Sequence, residues 1–260
     1  MNPSESNCSP PPLWAGKQGG CALILAAGLG TRLKPLTDTM PKGLVPLRGK
    51  PLLAHQLERL KAAGFAHVVV NVHHFAEQII RYLDTHDFGL DIRISDERQQ
   101  LLDTGGAIKQ AATLLPPDVP LLVHNVDIFH HIDLRAFYQS HNPLDEATLL
   151  TTDRRTTRYL VGYPDGCLLA WTNTATEEVK PQGMDINGLP LHAFSGIHIV
   201  SPAAISAMAT WPAKFSVIDF YLSRAPYAHI RLKMHPNTPL IDVGKQATLA
   251  EAERFIGGGG

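Results

Sequence analysis

The stretch LILAAGLGTRLKPLTDTMPKGLVPL, residues 23–47, constrains the fold more than any other part of the sequence. A short apolar run of strand character ends at Gly28 and Gly30, and Arg32 and Lys42 follow. In an open parallel sheet, ligands bind beyond the carboxyl ends of the strands. Glycines let such a loop approach a ligand and direct amides at phosphate oxygens, and the two cations attract anions. The stretch therefore predicts a phosphate-binding loop.

Two common phosphate-binding loops do not match this stretch. The spacing is not GxxxxGK[ST], and positions 28, 30 and 33 read Gly, Gly and Leu, so GxGxxG is absent as well. A P-loop and a hydride-transferring Rossmann site are therefore disfavoured. A glycine-rich turn with a solvated arginine and lysine is the alternative that these residues leave open.

The order of the apolar segments predicts an α/β fold. In the first half, strands at 21–26, 67–72, 90–95 and 119–127 alternate with helices at 51–63, 76–83 and 107–115. This order predicts a Rossmann-like, mostly parallel sheet flanked by helices. The second half contains close-set strands at 193–201, 229–235 and in ATLLTT, RYLVGYP and CLLAWTN, with helices at 216–225 and 246–256. No repeat of 20–50 residues is present, so we expect a mixed sheet without an appended β-helix.

Composition excludes several classes of function. The 260 residues carry a formal net charge of -1, which gives no footprint for nucleic acid and no polybasic face for a membrane. Three scattered cysteines, Cys8, Cys21 and Cys167, are too few for a disulfide framework. We expect a flexible leader at 1–20, one domain at 21–256 and a glycine tail at 257–260. We also expect a cytoplasmic protein, because no targeting signal or membrane span is visible.

Residues 25–53, LAAGLGTRLKPLTDTMPKGLVPLRGKPLL, resemble the signature of the sugar-phosphate nucleotidylyltransferases, L-A-A-G-x-G-T-R-L-x-P-L-T followed by P-K-P-L. The chain is most similar to the compact N-acetylmuramate-1-phosphate uridylyltransferases and mannose-1-phosphate guanylyltransferases. The resemblance implies that a nucleoside triphosphate and a sugar-1-phosphate form a nucleotide-sugar and pyrophosphate, with Mg²⁺ as cofactor. It further implies a nucleotide-binding part at about 21–130 and a sugar-binding part at about 131–256. We expect a monomer or a small homo-oligomer.

The resemblance also implies which residues bind the nucleotide. DTGGAI, residues 103–108, opens a helix, and its glycines would let a base lie close to the backbone with amides available to its edge. A threonine N-cap followed by a glycine turn is the structural alternative for the same residues. The implied nucleotide-binding residues are Ala26, Ala27, Gly28, Gly30, Thr31, Thr104, Gly105 and Gly106.

Two carboxylates are candidate metal ligands. Asp127 ends an apolar strand, where a carboxylate packs badly but suits Mg²⁺, and Asp242 lies in LIDVG. The resemblance implies that both bind the metal, although Val126 replaces the family's glycine and Lys245-Gln246 replaces its Thr-Pro. An acidic residue near a helix N-terminus is the alternative for Asp242.

The acceptor sugar is assigned to the second half by the same resemblance. AFSGIHIVSP, residues 193–202, is similar to the family's F-[ST]-G-I-H segment, and Ser195 and Gly196 would leave room for a sugar ring. Lys180 is similar to the lysine that pairs with the sugar phosphate. Asn71 and Glu97 are expected ring contacts.

The mechanism expected from charge needs no general base, because a sugar phosphate is already ionised at neutral pH. Arg32 would stabilise the departing pyrophosphate, and Lys42 the α-phosphate or the attacking group. The histidines are expected to matter less than these cations. Two alternatives remain open: a non-catalytic nucleotide-sugar sensor, and a cytidylyltransferase for a non-sugar alcohol phosphate.

Overall fold

Residues 19–257 are described by the computed structural model, and the expected leader and glycine tail lie largely outside this range. The first half contains β1 (Gly20–Leu25), β2 (Pro46–Leu47), β3 (Lys50–Pro51), α1 (Leu52–Ala62), β4 (Phe65–Val72), α2 (Ala76–Thr85), β5 (Asp91–Asp96), α3 (Asp103–Ala112), β6 (Leu121–Asn125) and β7 (Ile128–His130). The second half contains α4 (Leu134–Gln139), β8 (Ala147–Thr152), β9 (Arg158–Gly162), β10 (Leu168–Asn173), β11 (Glu178–Lys180), β12 (Leu191–Val200), α5 (Pro202–Ala207), α6 (Val217–Arg224), β13 (Ile230–Met234), β14 (Leu240–Asp242) and α7 (Gln246–Gly257).

The first half forms the parallel part of the main sheet. Its strands lie in the order β5, β4, β1, β6, and all three pairings are parallel. Because parallel neighbours require crossovers, α1, α2 and α3 connect them, as the alternating pattern predicted. The carboxyl ends of β1, β4 and β6 therefore meet at one edge of the sheet.

The second half extends the sheet mainly with antiparallel strands. β12 pairs antiparallel with β6, β8 and β9, and β10 and β11 continue outward from β9. β13 adds to β8 in parallel. Ten strands thus form one mixed sheet, which confirms the predicted α/β fold.

Successive residues of the central strands build two cores. Val68 and Val70 of β4 pack on the face covered by α1, whereas Val69 faces the side covered by α3 and α6. This alternation follows from the two-residue period of a strand. Burial on both faces explains why these strands read as continuous apolar runs.

The main differences from the predicted elements lie near the carboxyl edge of the sheet. α3 begins at Asp103 instead of 107, and β6 ends at Asn125, so Asp127 lies in the following turn. β7 and β14 form a separate two-stranded antiparallel sheet, which the sequence did not indicate. Within residues 19–257, no helix is long and apolar enough to cross a membrane.

Candidate active site

The loop after β1 is open at the position where the sequence predicts phosphate binding. Among residues 19–257, no heavy atom would lie within 4 Å of a Cβ on Gly28, so no described residue fills the space above it. Gly30 has a φ of 64°, and a Cβ there would lie 2.8 Å from Thr37 Cγ2. Gly30 is therefore required by both backbone conformation and space. Thr31 follows at the start of a 3₁₀ turn that also carries Arg32.

Asn71 and Glu97 hold the backbone near this loop in place through hydrogen bonds. Asn71 Oδ1 accepts hydrogen bonds from the amides of Ala26 at 2.6 Å and Ala27 at 3.2 Å, and its Nδ2 donates to Glu97 Oε1 at 2.8 Å. Glu97 Oε2 accepts from the Leu102 amide at 3.0 Å. Both side chains are buried and bind the loop and each other, and their expected contact with a sugar ring stays a prediction. Asn71 also accepts from the two alanine amides that were predicted to bind the nucleotide.

Lys42 and Asp127 form the central ion pair. Lys42 projects from the 3₁₀ turn Lys42–Leu44, and its Nζ contacts Asp127 Oδ2 beyond the end of β6. The side chains are 14% and 9% exposed, so neither charge is well solvated. Burial raises the pKa of the Asp127 carboxyl and the Lys42 ammonium opposes this, while the nearby Asp242 carboxylate raises the pKa further.

Asp242 reaches the same point from the far end of the chain. It lies opposite Ile128 in the β7–β14 pairing, and the Val243 amide donates to the Asp127 carbonyl at 2.9 Å. Burial would raise the pKa of Asp242, but the Gly244 amide at 2.7 Å, the Asp127 carboxyl and the cations Lys42 and Arg32 together lower it. Arg32 Nη2 lies 3.8 Å from Asp242 Oδ2.

Gly244 is a site position that sequence reasoning did not single out. A Cβ there would lie 2.6 Å from Asp242 Oδ1, 2.7 Å from Arg32 Nη2 and 3.1 Å from Asp127 Oδ2. The two carboxylates and the guanidinium therefore converge around one glycine. The glycine in LIDVG, two residues after a strand-end aspartate, was the available signal.

Asp127 and Asp242 suit a divalent cation that takes some of its other ligands from a substrate. Within the described part of the chain, no group of three or more His, Cys, Asp or Glu side chains could hold a metal ion. Mg²⁺ commonly takes one or two carboxylates and completes its shell with phosphate oxygens and water. Two converging carboxylates beside a phosphate-binding loop match that donor set.

Gly105 and Gly106, which were predicted to contact a base, pack closely against segment 213–217. Their amides donate to the Phe215 carbonyl at 2.9 and 3.4 Å. A Cβ on Gly105 would lie 2.3 Å from the Phe215 ring, and one on Gly106 would lie 2.1 Å from the Ala213 carbonyl. Thr104 Oγ1 accepts from the Val217 amide at 3.0 Å. Close packing of segment 213–217 on α3 therefore explains these three residues.

A cavity of about 1300 Å³ opens beside Arg32 and Asp242. Lys180 lines it, with Nζ 3.2 Å from Asp219 Oδ1 and 5.5 Å from the centre of the Trp171 ring. Lys180, which the resemblance pairs with the sugar phosphate, thus lines the same cavity as Arg32 and Asp242.

Ser195 and Gly196 do not form the open floor that was expected. Ser195 is buried, and its Oγ accepts from the Ile197 amide at 3.1 Å within a bulge of β12. Gly196 has a φ of 79°, and a Cβ there would lie 2.4 Å from Asn125 Nδ2. The space that the missing side chain leaves is filled by Asn125, and the sugar contact of Gly196 stays a prediction.

Val126, the departure from the family pattern, is accommodated without strain. It is 1% exposed, and its Cγ2 would lie 3.7 Å from a Cβ on Gly43, an ordinary contact distance. Gln56 of α1 donates to the Val126 carbonyl at 3.4 Å and the Ile128 carbonyl at 2.8 Å. Gln56, whose role the sequence did not indicate, holds the backbone on both sides of Asp127 through these two hydrogen bonds.

The buried histidines near Asp127 form a structural network. His130 Nδ1 accepts from the Ile132 amide at 3.0 Å, which assigns the ring proton of the neutral imidazole to Nε2. His130 Nε2 lies 3.0 Å from His124 Nε2, and His124 Nδ1 lies 2.7 Å from the Asn125 carbonyl. Burial lowers the pKa of His124 to about 3 and that of His130 further. Both are neutral in the folded protein.

Comparison with known proteins shows which family the chain belongs to. A family model described as nucleotidyl transferase matches residues 21–163. The N-acetylmuramate alpha-1-phosphate uridylyltransferase of Neisseria meningitidis serogroup B is 35% identical over 242 residues, covering 91% of this chain and 98% of the relative. The mannose-1-phosphate guanyltransferase of Gibberella zeae is 40% identical over 136 residues, which are 50% of this chain and 36% of that protein.

The fold also matches solved structures. The crystal structure of HddC from Yersinia pseudotuberculosis superposes with a TM-score of 0.72 at 24% identity, covering 91% of this chain and 99% of that one. The family model spans more than half of the chain, and the Neisseria relative matches almost from end to end. The resemblance inferred from residues 25–53 is thereby confirmed. The chain belongs to the nucleotidyl transferase family and is a nucleotidyltransferase enzyme of the sugar-phosphate class.

Proposed function

We propose that this enzyme transfers a nucleotidyl group from a nucleoside triphosphate to a sugar-1-phosphate, with Mg²⁺, and releases pyrophosphate. The observation that carries the proposal is the convergence of Lys42, Asp127, Asp242 and Arg32 at the carboxyl edge of the sheet, beside the open loop at Gly28. Triphosphate and sugar phosphate both bring negative charge to such a point. Positioning and charge neutralisation are what phosphoryl transfer chiefly requires.

Each charged side chain has a role in this reaction. Asp127 and Asp242 would hold the cation, which when bound neutralises phosphate charge and polarises the phosphorus that is attacked. Lys42 exchanges its contact with Asp127 for a phosphate oxygen of the substrates. Arg32 stabilises the charge that develops on the leaving pyrophosphate. A sugar-phosphate oxygen attacks the α-phosphorus in line, and no protein group needs to take a proton.

The first substrate pair we propose is UTP with N-acetylmuramate-1-phosphate. The Neisseria uridylyltransferase of that name aligns with 91% of this chain, whereas the Gibberella guanyltransferase aligns with 50%. In this assignment the nucleotide binds to the part at about 21–130, at the exposed loop 28–31. The sugar binds in the cavity that Lys180 lines.

The test measures pyrophosphate release across the four ribonucleoside triphosphates and dTTP, each with several sugar-1-phosphates and one alcohol phosphate, with Mg²⁺. We expect the UTP and N-acetylmuramate-1-phosphate pair to be fastest and Asp127→Asn to lower its kcat/KM steeply while leaving a measurable residual rate. An exposed aspartate, Asp118, gives the matched control Asp118→Asn. Nucleotide binding without turnover of any pair would instead support a sensor, and turnover of the alcohol phosphate alone would support a cytidylyltransferase-like acceptor.

A further inference from the structure

The cavity beside Arg32 and Asp242 is lined by more basic residues than the proposed reaction assigns to the two phosphate-bearing substrates. Six basic and three acidic residues line it. Two of the cations are paired, Arg32 with Asp242 and Lys180 with Asp219. These two cations and Lys42 already serve the phosphates in the proposed reaction. The cavity therefore has basic residues with no assigned task.

Three of those residues are arginines clustered at the start of β9. Arg154 and Arg155 lie in the β8–β9 loop, and Arg158 begins β9. Within residues 19–257, none of the three has a carboxylate partner within ion-pair distance. Unpaired guanidinium groups that face one cavity attract an anion, and their planar shape fits a carboxylate through two parallel hydrogen bonds.

Arg154 is the member of the cluster whose position is fixed. Its Nη2 donates to the Phe194 carbonyl of β12 at 2.9 Å. Within residues 19–257, its buried Nε has no hydrogen-bond partner. Because that atom is closed to solvent, an anion in the cavity would bind the terminal nitrogens Nη1 and Nη2, whose parallel N–H groups suit a carboxylate.

The strand pairing at the floor of the cavity shows that the three arginines lie next to the expected sugar position. Leu160 of β9 lies opposite Trp171 of β10, which lies opposite Lys180 of β11. Arg158 is two residues from Leu160 and so shares its face of the sheet. An acceptor lying on Trp171 with its phosphate towards Lys180 would therefore have the arginines within reach of its ring substituents.

We propose that Arg154, assisted by Arg158, is a specificity-determining residue that binds a carboxylate carried by the acceptor sugar in addition to its 1-phosphate. This inference rests on the proposed function, because it takes the cavity to be the acceptor site. It predicts discrimination between sugars that differ in one carboxylate. N-acetylmuramate and N-acetylglucosamine are such a pair, since the first is the lactyl ether of the second.

The experiment measures kcat and KM with UTP and Mg²⁺ for the 1-phosphates of both sugars. The proteins compared are wild type, Arg154→Ala and Arg154→Lys, with Arg81→Ala as the control because Arg81 is exposed and lies outside the cavity. We expect wild type to prefer the carboxylated acceptor. Arg154→Ala should lower kcat/KM for that acceptor by about tenfold or more, mainly through KM. For N-acetylglucosamine-1-phosphate the change should stay within about twofold.

The two acceptors separate a specific role from a structural one. Arg154→Lys keeps the charge but loses the planar fork, so its preference should fall between those of wild type and Arg154→Ala. An equal loss on both acceptors in both variants overturns the inference and leaves the proposed function standing. No preference in wild type overturns the inference and the proposed acceptor, but leaves nucleotidyl transfer to a sugar-1-phosphate standing. No pyrophosphate from either acceptor in wild type overturns the inference and the proposed substrate pair.

Discussion

Lys42 is the residue on which the charge state of the site depends most. Its ammonium contacts the Asp127 carboxylate, and both side chains are almost excluded from solvent. Removing one partner of a buried pair leaves the other charge uncompensated, which is far less favourable than losing a surface ion pair. The sequence indicated that Lys42 and Asp127 are functional, but it gave no sign that they contact each other without substrate.

A substitution at Lys42 tests this dependence. Lys42→Met should reduce the free energy of unfolding by about 3 kcal/mol, because Asp127 remains buried without its cation. Lys34→Met is the matched control, since Lys34 pairs with Asp38 at 3.0 Å on the exposed surface and should change stability by less than about 1 kcal/mol. Urea denaturation measures both values. Equal effects of the two variants would show that the Lys42–Asp127 pair is not a buried one in solution.

At the scale of elements, the apolar strands and helices followed from sequence periodicity, but the contacts at their ends did not. The continuous apolar runs and the helical pattern predicted β1, β4 and α1 correctly because burial alone dictates them. β7 and β14 contain three residues each and are more than a hundred residues apart in the sequence, so no local pattern could indicate that they pair. That pairing is nevertheless what brings Asp242 to Asp127.

The polar residues at strand ends show the same limit. Asn71 and Glu97 were expected to contact a sugar ring, and the sequence did not indicate their hydrogen bonds to loop amides. Those hydrogen bonds depend on the neighbouring strand and on the start of α3, which the sequence alone does not locate. The packing of segment 213–217 on the glycines of α3 is not a local feature either, so the sequence did not indicate it.

Asn71 should link the phosphate-binding loop to the sheet energetically. Asn71→Ala leaves the Ala26 and Ala27 amides and Glu97 Oε1 without their partner, and we expect a loss of about 2–4 kcal/mol in unfolding free energy. We also expect KM for the triphosphate to rise, because the loop loses its support. Asn187→Ala, at an exposed position, is the control for stability. A stable variant with unchanged KM would mean that the loop does not depend on Asn71.

At the scale of the whole molecule, buried histidines make the fold sensitive to acid. His124 and His198 are 1% and 2% exposed, and burial lowers the pKa of each from 6.5 to about 3. The unfolded chain binds protons at these residues below about pH 6.5, whereas the folded protein does not until about pH 3. Stability is therefore complete above pH 6.5 and falls as the pH drops, by about 1.4 kcal/mol per pH unit for each histidine.

His198 offers a direct check of that dependence. Within residues 19–257, neither of its ring nitrogens has a hydrogen-bond partner, so His198→Leu removes a buried polar group without leaving another unpaired. The variant should lose less stability between pH 7 and pH 5 than wild type, measured by denaturant unfolding at each pH. His74→Leu, at an exposed position, should keep the wild-type pH profile. Parallel profiles for all three proteins would rule out His198 as a source of the acid sensitivity.

The proposed function requires that Asp127 and Asp242, which the pairing of β7 with β14 brings together, hold the same cation. The most direct measurement compares kcat/KM for pyrophosphate release in wild type, Asp127→Asn, Asp242→Asn and the double variant. If both carboxylates hold one cation, either single substitution already removes most of the rate that the cation provides. The kcat/KM of the double variant should therefore lie within about tenfold of that of the slower single variant. A double variant whose loss equals the product of the two single losses would show that the carboxylates act independently and would contradict the account.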